Sequence, residues 1–160
     1  MTEHSARRWH NHWTHFLAFG FGSGALPKAP GTFGTLAAIP VFLVLAQAPF
    51  WLYAVLVVLA FVLGCYLCDW VSRDMGVHDH GGIVWDEFVG FWITMMLVPV
   101  SWITVVLGFV LFRFFDVLKP WPIKWFDQRI HGGIGIMIDD VIAGVFAWVC
   151  LQGIVWVAGF

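Results

Sequence analysis

Charge is what this chain has least of. Only 11% of its 160 residues are Asp, Glu, Lys or Arg, against 61% hydrophobic and 18% aromatic residues. That leaves too little polar material to cover a water-soluble globule, so the chain reads as a membrane protein with room for one domain, residues 1–160. A basic field is missing too: the Lys and Arg residues are scattered, the net charge is −2 and the pI is near 6.3. Nucleic acid is thereby excluded as an expected partner. Cysteine is scarce. Cys65 and Cys68 make a C-x-x-C inside the apolar run LGCYLCDW with no second pair, and Cys150 is isolated; all three read as small buried hydrophobes rather than a zinc or redox site. The N-terminus has no unbroken apolar core before a small-residue cleavage site, so residues 1–19, with the histidine-rich HNHWTH, read as a variable tail and not a removable signal. Sustained polar/apolar alternation is absent, which argues against a membrane β-barrel.

What is present is a series of apolar runs: Leu36 to Leu45, Trp51 to Cys68, Phe91 to Phe112, and Val141 to the C-terminus. Helices are the default in lipid, because every backbone polar group must be satisfied internally. Pro49 separates the first two runs, and Pro99 with Ser101 divides the third into a hairpin. A turn at Pro99 returns the chain to the side it came from. All Lys and Arg residues then share one side, which the positive-inside bias makes cytoplasmic. The expectation is an all-α, membrane-embedded bundle of about five or six helices, N-terminus in, C-terminus out, with polar active-site loops on the cytoplasmic face. At about 1.5 Å per residue, the pieces around Pro49 and Pro99 are short for a hydrocarbon core of about 30 Å.

Four polar blocks interrupt the apolar runs on that face. GFGSGALPKAPGTFGT, Gly20 to Thr35, is too rich in glycine and proline to be expected as helix, and it offers Ser23, Lys28, Thr32 and Thr35. Its free amides, lysine and hydroxyls suit a phosphate, although no G-K-[ST] makes it a Walker loop and a plain connector has the same composition. RDMGVHDHGGIVWDEFVG carries His78, Asp79, Asp86 and Glu87; FRFFDVLKPWPIKWFD carries Arg113, Asp116 and Lys119 at i, i+3 steps on a helix that Pro120 stops; GGIGIMIDDVIAGV opens the last apolar run with Asp139 and Asp140. Carboxylates at apolar boundaries are costly unless they face a polar interior and have a role. Hard oxygen donors from several helices suit magnesium or a similar ion, and nearby cations suit an anionic substrate. Together they describe phosphoryl chemistry, with intramembrane salt bridges as the bland alternative and an ion-coupled transporter as a rival class. Gly90 and Gly144 follow the acid pairs by about one turn, where a small residue lets helices approach closely.

In order, from about Gly20 to Gly144, these blocks resemble the successive signatures of the phosphatidylglycerophosphatase A family of bacterial membrane enzymes. The resemblance implies an all-α, magnesium-dependent phosphatase of the inner membrane. Its substrate would be the lipid phosphatidylglycerophosphate, released as phosphatidylglycerol and inorganic phosphate in phosphatidylglycerol and cardiolipin synthesis. On that basis Asp86, Glu87, Asp139 and Asp140 are expected to hold one or two magnesium ions. Asp116 orients the attacking water or adds a ligand, and Arg113, Lys119, Lys28, Ser23, Thr32 and Thr35 receive the phosphate. His78 or Asp79 protonates the leaving oxygen. Another lipid phosphomonoester is the nearest alternative substrate.

Overall fold

A computed structural model of the chain describes residues 13–77 and 80–159. Among these residues the ordered structure is helical throughout: α1 (Trp13–Ala18), a 3-10 turn (Ser23–Ala25), α2 (Pro30–Leu45), α3 (Phe50–Met75), α4 (Trp85–Thr94), α5 (Trp102–Leu118), α6 (Ile123–Arg129) and α7 (Gly132–Ala158). The all-α expectation is met.

Sequence punctuation explains most boundaries. Pro49 is the N-cap of α3, and Gly76 ends it in the left-handed conformation at φ 66°. The hairpin at Pro99 is real: α4 stops at Thr94, and α5 restarts behind a capping box in which the Ser101 side chain accepts from the Thr104 amide and Thr104 answers the Ser101 amide. Lys119, at φ 43°, caps α5 just before Pro120.

Two expectations are corrected. The Gly/Pro-rich block is irregular only as far as Ala29; from Pro30 onward it is the start of α2, because proline at the first helical position presets φ and loses no needed donor. Gly34 is tolerated there because α2 packs closely on α4, where a Cβ would lie 2.6 Å from Val84 Cβ. The final helix starts at Gly132, so Asp139 and Asp140, expected at the opening of the last apolar run, lie two turns inside it.

α4 is the central post: nine of its ten residues are buried, including both acids, which is why it tolerates no polar face. α7 is the common neighbour of α3, α4, α5 and α6, and its closest partnership is with α4. The outside is greasy. On α3 the residues Trp51, Val58, Leu59 and Val62 are exposed, as are Val149, Trp156 and Val157 on α7. These two helices, 26 and 27 residues, are long and apolar enough to cross a membrane. The others are shorter, with α2, α4 and α5 spanning about 24, 15 and 26 Å.

Candidate active site

Four helix segments meet at one end of the molecule, each bringing the polar residues of one sequence block. The last two turns of α5 supply Arg113 and Asp116. Arg113 Nη1 lies 2.5 Å from Glu87 Oε2 on α4 and 2.7 Å from Asp116 Oδ2. Because these groups are largely buried, removing one partner would leave a desolvated charge unpaired and be expensive. It also fixes the hairpin: the start of α4 and the end of α5 occupy the same end of the fold.

α2 covers this pair with its first turn. The Thr35 hydroxyl, wholly buried, donates to Glu87 Oε2, with the Gly31 carbonyl 3.0 Å away. Gly31 itself has no room for a side chain, since a Cβ would overlap Glu87 Oε1 and come within 3.0 Å of both Nη atoms of Arg113. Only glycine lets the helix start rest on the ion pair. Sequence reasoning missed Gly31; the available signal was a glycine immediately after an N1 proline.

On α7, Asp139 Oδ2 takes Lys119 Nζ at 2.5 Å. The two acid pairs share a local design: the amide of Glu87 donates to Asp86 Oδ1 and the amide of Asp140 to Asp139 Oδ1, each at 3.0 Å. What brings the pairs together is the glycine crossing one turn further along. A Cβ on Gly144 would stand 2.5 Å from the Gly90 carbonyl oxygen, and one on Gly90 would stand 2.8 Å from the carbonyl of Asp140 itself. Both glycines therefore have the close-approach role read from their spacing. Thr94, fully buried and not singled out by sequence, ties the crossing by placing its hydroxyl 3.0 Å from Gly90 O and 3.3 Å from Gly144 O.

Asp140 is the exposed nerve of the cluster. It is 3% accessible, it lies in the field of Asp86, Glu87, Asp116 and Asp139, and among the described residues its Oδ2 has no hydrogen-bond partner. Five carboxylates thus face the two cations Arg113 and Lys119. A buried excess of negative charge with an orphaned oxygen, and no sulfur or imidazole donor in the cluster among the described residues, fits a hard divalent cation such as magnesium. The fit is one of chemistry and charge. Among the described residues no three His, Cys, Asp or Glu side chains stand in a formed cage, so holding an ion there would require side chains to turn inward.

The other expected residues fall at varying distance from this centre. Thr32 is half-buried in the first turn of α2, and Lys28 is exposed just before it. Ser23 uses its hydroxyl inside the loop, donating to Gly20 O at 2.8 Å. His78 and Asp79 lie outside the described residues.

Residues 16–155 match the family described as Phosphatidylglycerophosphatase A. The protein of that name from Escherichia coli (strain K12) is 56% identical over 138 residues, which is 86% of this chain and 80% of the relative. Its namesake from Haemophilus influenzae is 51% identical, covering 83% of each chain. A protein of Bacteroides thetaiotaomicron, 38% identical over 89% of this chain and 94% of its own length, carries the provisional name of a phosphatidylinositol-3-phosphatase. No solved structure matches. Helical fold, acid cluster and relatives together define a phosphatase, an enzyme whose acids are carried on apolar helices. The chain belongs to the phosphatidylglycerophosphatase A family.

Proposed function

We propose that the chain is a magnesium-dependent lipid phosphomonoesterase of the bacterial inner membrane, converting phosphatidylglycerophosphate to phosphatidylglycerol and inorganic phosphate in the synthesis of phosphatidylglycerol and cardiolipin. One observation carries the reading: the buried, over-acidic cluster around the orphaned Asp140 Oδ2, flanked by Arg113 and Lys119. The relatives' names supply the headgroup. The Bacteroides relative supports a second reading in which the same site accepts another lipid phosphomonoester.

Asp86, Asp139 and Asp140, with Glu87 beside them, are the residues that would hold the ion. Bound there, magnesium supplies charge neutralisation for the phosphoryl oxygens and a more acidic water. Arg113 and Lys119 bring the phosphomonoester to the cluster, since a phosphate can share each cation with the carboxylate it now pairs. Thr35 and Gly31 hold Glu87 and Arg113 in register, and the open amides of the α2 start, with Thr32 and Lys28 nearby, favour an anion. Asp116 accepts a proton from the water that attacks phosphorus. The bond from phosphorus to the glycerol oxygen breaks, and His78 or Asp79 returns a proton to that oxygen.

The proposed topology sets the acids on the cytoplasmic side, with the turn at residues 95–101 on the other. The gathering of the α4 start, the α5 end and the Lys/Arg-bearing segments at one end supports it.

The experiment is phosphate release from phosphatidylglycerophosphate in detergent, with magnesium and with chelator, beside folded Asp86→Asn and Asp140→Asn variants. Magnesium-dependent release lost in both variants is expected. Release that survives chelation and both substitutions overturns the metal mechanism, and release from other lipid monoesters alone reassigns the substrate.

A further inference from the structure

A second feature of α4 faces away from the acids. Between α2 and α3 lies a groove of about 270 Å³, walled by Leu45 on α2 and by Leu56, Ala60 and Leu63 on α3, and floored by Trp85 and Trp92 of α4. The floor is pinned. Trp85 Nε1 donates to the Ala60 carbonyl at 2.9 Å and Trp92 Nε1 to the Ala38 carbonyl at 3.1 Å, so neither indole leaves a donor facing the groove. The two rings, seven residues apart on one helix, meet edge-to-face with their centroids 6.4 Å apart and form one continuous apolar floor. Its outer lip is the exposed apolar side of α3 around Val58, Leu59 and Val62.

The inner end connects with the catalytic machinery. Trp85 directly precedes Asp86 in the first turn of α4. Its ring stacks on Phe88 and meets Phe21 of the glycine-rich segment edge-on at 6.3 Å, the segment that continues into the α2 turn resting on Glu87 and Arg113. A Cβ at Gly64 would stand 2.7 Å from Trp85 Cδ1 and 2.5 Å from Met137 Sδ, two residues before Asp139. One short helix therefore presents carboxylates at its start and an apolar trough along its side. That is the complement of an amphiphile with a phosphate at one end and a hydrocarbon chain at the other.

We propose that this groove is the subsite for one acyl chain of the lipid phosphomonoester, and that Ala60 and Leu56 set how much chain it takes. The inference rests on the lipid-phosphatase reading above. Ala60 leaves the middle of the trough open, and Leu56 bounds it at the end remote from the acids.

Two measurements test it on the full chain in detergent. In the first, a phosphatidylglycerophosphate bearing a diazirine midway along one chain is photolysed with the protein and the labelled peptides are mapped. Label on residues 56–63, Trp85 or Trp92, displaced by unlabelled substrate and not by equal phosphatidylcholine, is expected. Label elsewhere, or label that phosphatidylcholine displaces equally well, marks ordinary boundary lipid and overturns the proposal. In the second, kcat/KM is compared for dipalmitoyl and dihexanoyl substrates. Ala60→Phe is expected to lower the long-to-short ratio about tenfold through KM, the loss of burial of roughly two methylenes. Leu56→Trp, in case Ala60→Phe fails to fold, should lower the same ratio. An unchanged ratio in folded variants removes the groove alone. A wild type that releases phosphate from neither substrate removes the lipid-phosphatase reading beneath it.

Discussion

Glu87 and Asp140 hold equivalent places, each the buried second acid of a pair on an apolar helix, yet their surroundings are opposite. Glu87 is well partnered: Arg113 and the Thr35 hydroxyl meet its Oε2, and the Gly31 backbone packs close to its Oε1. Asp140 has a buried oxygen with no partner among the described residues and four acids for company. On the proposed mechanism the two residues have different jobs: Glu87 holds Arg113 where α2, α4 and α5 meet, and Asp140 is the acid left to meet the ion.

The sharpest way to break that comparison is to neutralise both. Asp140→Asn should cost between about a hundred and a thousandfold in kcat while leaving the magnesium-free protein as stable as before or more so, since an uncompensated buried charge is gone. Glu87→Gln should do the reverse in part, lowering stability by about 3 kcal/mol because Arg113 loses a buried partner. Thermal unfolding of both, with and without magnesium, checks this; the magnesium-induced rise in Tm should vanish in Asp140→Asn. Equal destabilisation by both variants would erase the distinction.

Next in size is the crossing that holds the pairs together. Gly144→Ala should cost about a hundredfold in activity, what a misplacement of about 1 Å costs in a positioned site. Smaller again is Thr94→Val, which keeps the shape but removes the hydroxyl at Gly90 O and Gly144 O. A loss of about 1 kcal/mol in stability is expected there, with Thr94→Ser restoring it. The smallest effect belongs to Ser23→Ala, whose hydroxyl serves its own loop; kcat/KM for phosphate release should stay within about twofold.

Much of this architecture was legible from local chemistry. Pro99 and Ser101 announce a helix stop and restart within a few residues, and Gly90 and Gly144 stand one turn beyond their acids. What was hidden depends on tertiary contact. Pro30 and Gly31 look like loop until α4 and α5 are placed beneath them, because a glycine that is unfavourable in an isolated helix becomes necessary where an ion pair fills the space of its side chain. Asp139 and Asp140 look like first-turn acids because the long unbroken apolar run starts after them, whereas the backbone of α7 begins at Gly132, in a stretch where Gly132, Gly133 and Gly135 read as a turn. Thr94 gave no sign, as a hydroxyl bonded to its own helix is ordinary until a second carbonyl arrives from another helix.

The Gly90 and Gly144 crossing also constrains how such an enzyme can change. The distance between the two acid pairs is set by hydrogens where methyl groups would otherwise be, and there is no residue smaller than glycine. Substitution can therefore only widen that gap, and it does so in steps the size of a methyl group. A lineage seeking a different ion or a different headgroup has no fine adjustment at this point and must find it elsewhere, in the residues that ring the cluster and leave the crossing untouched.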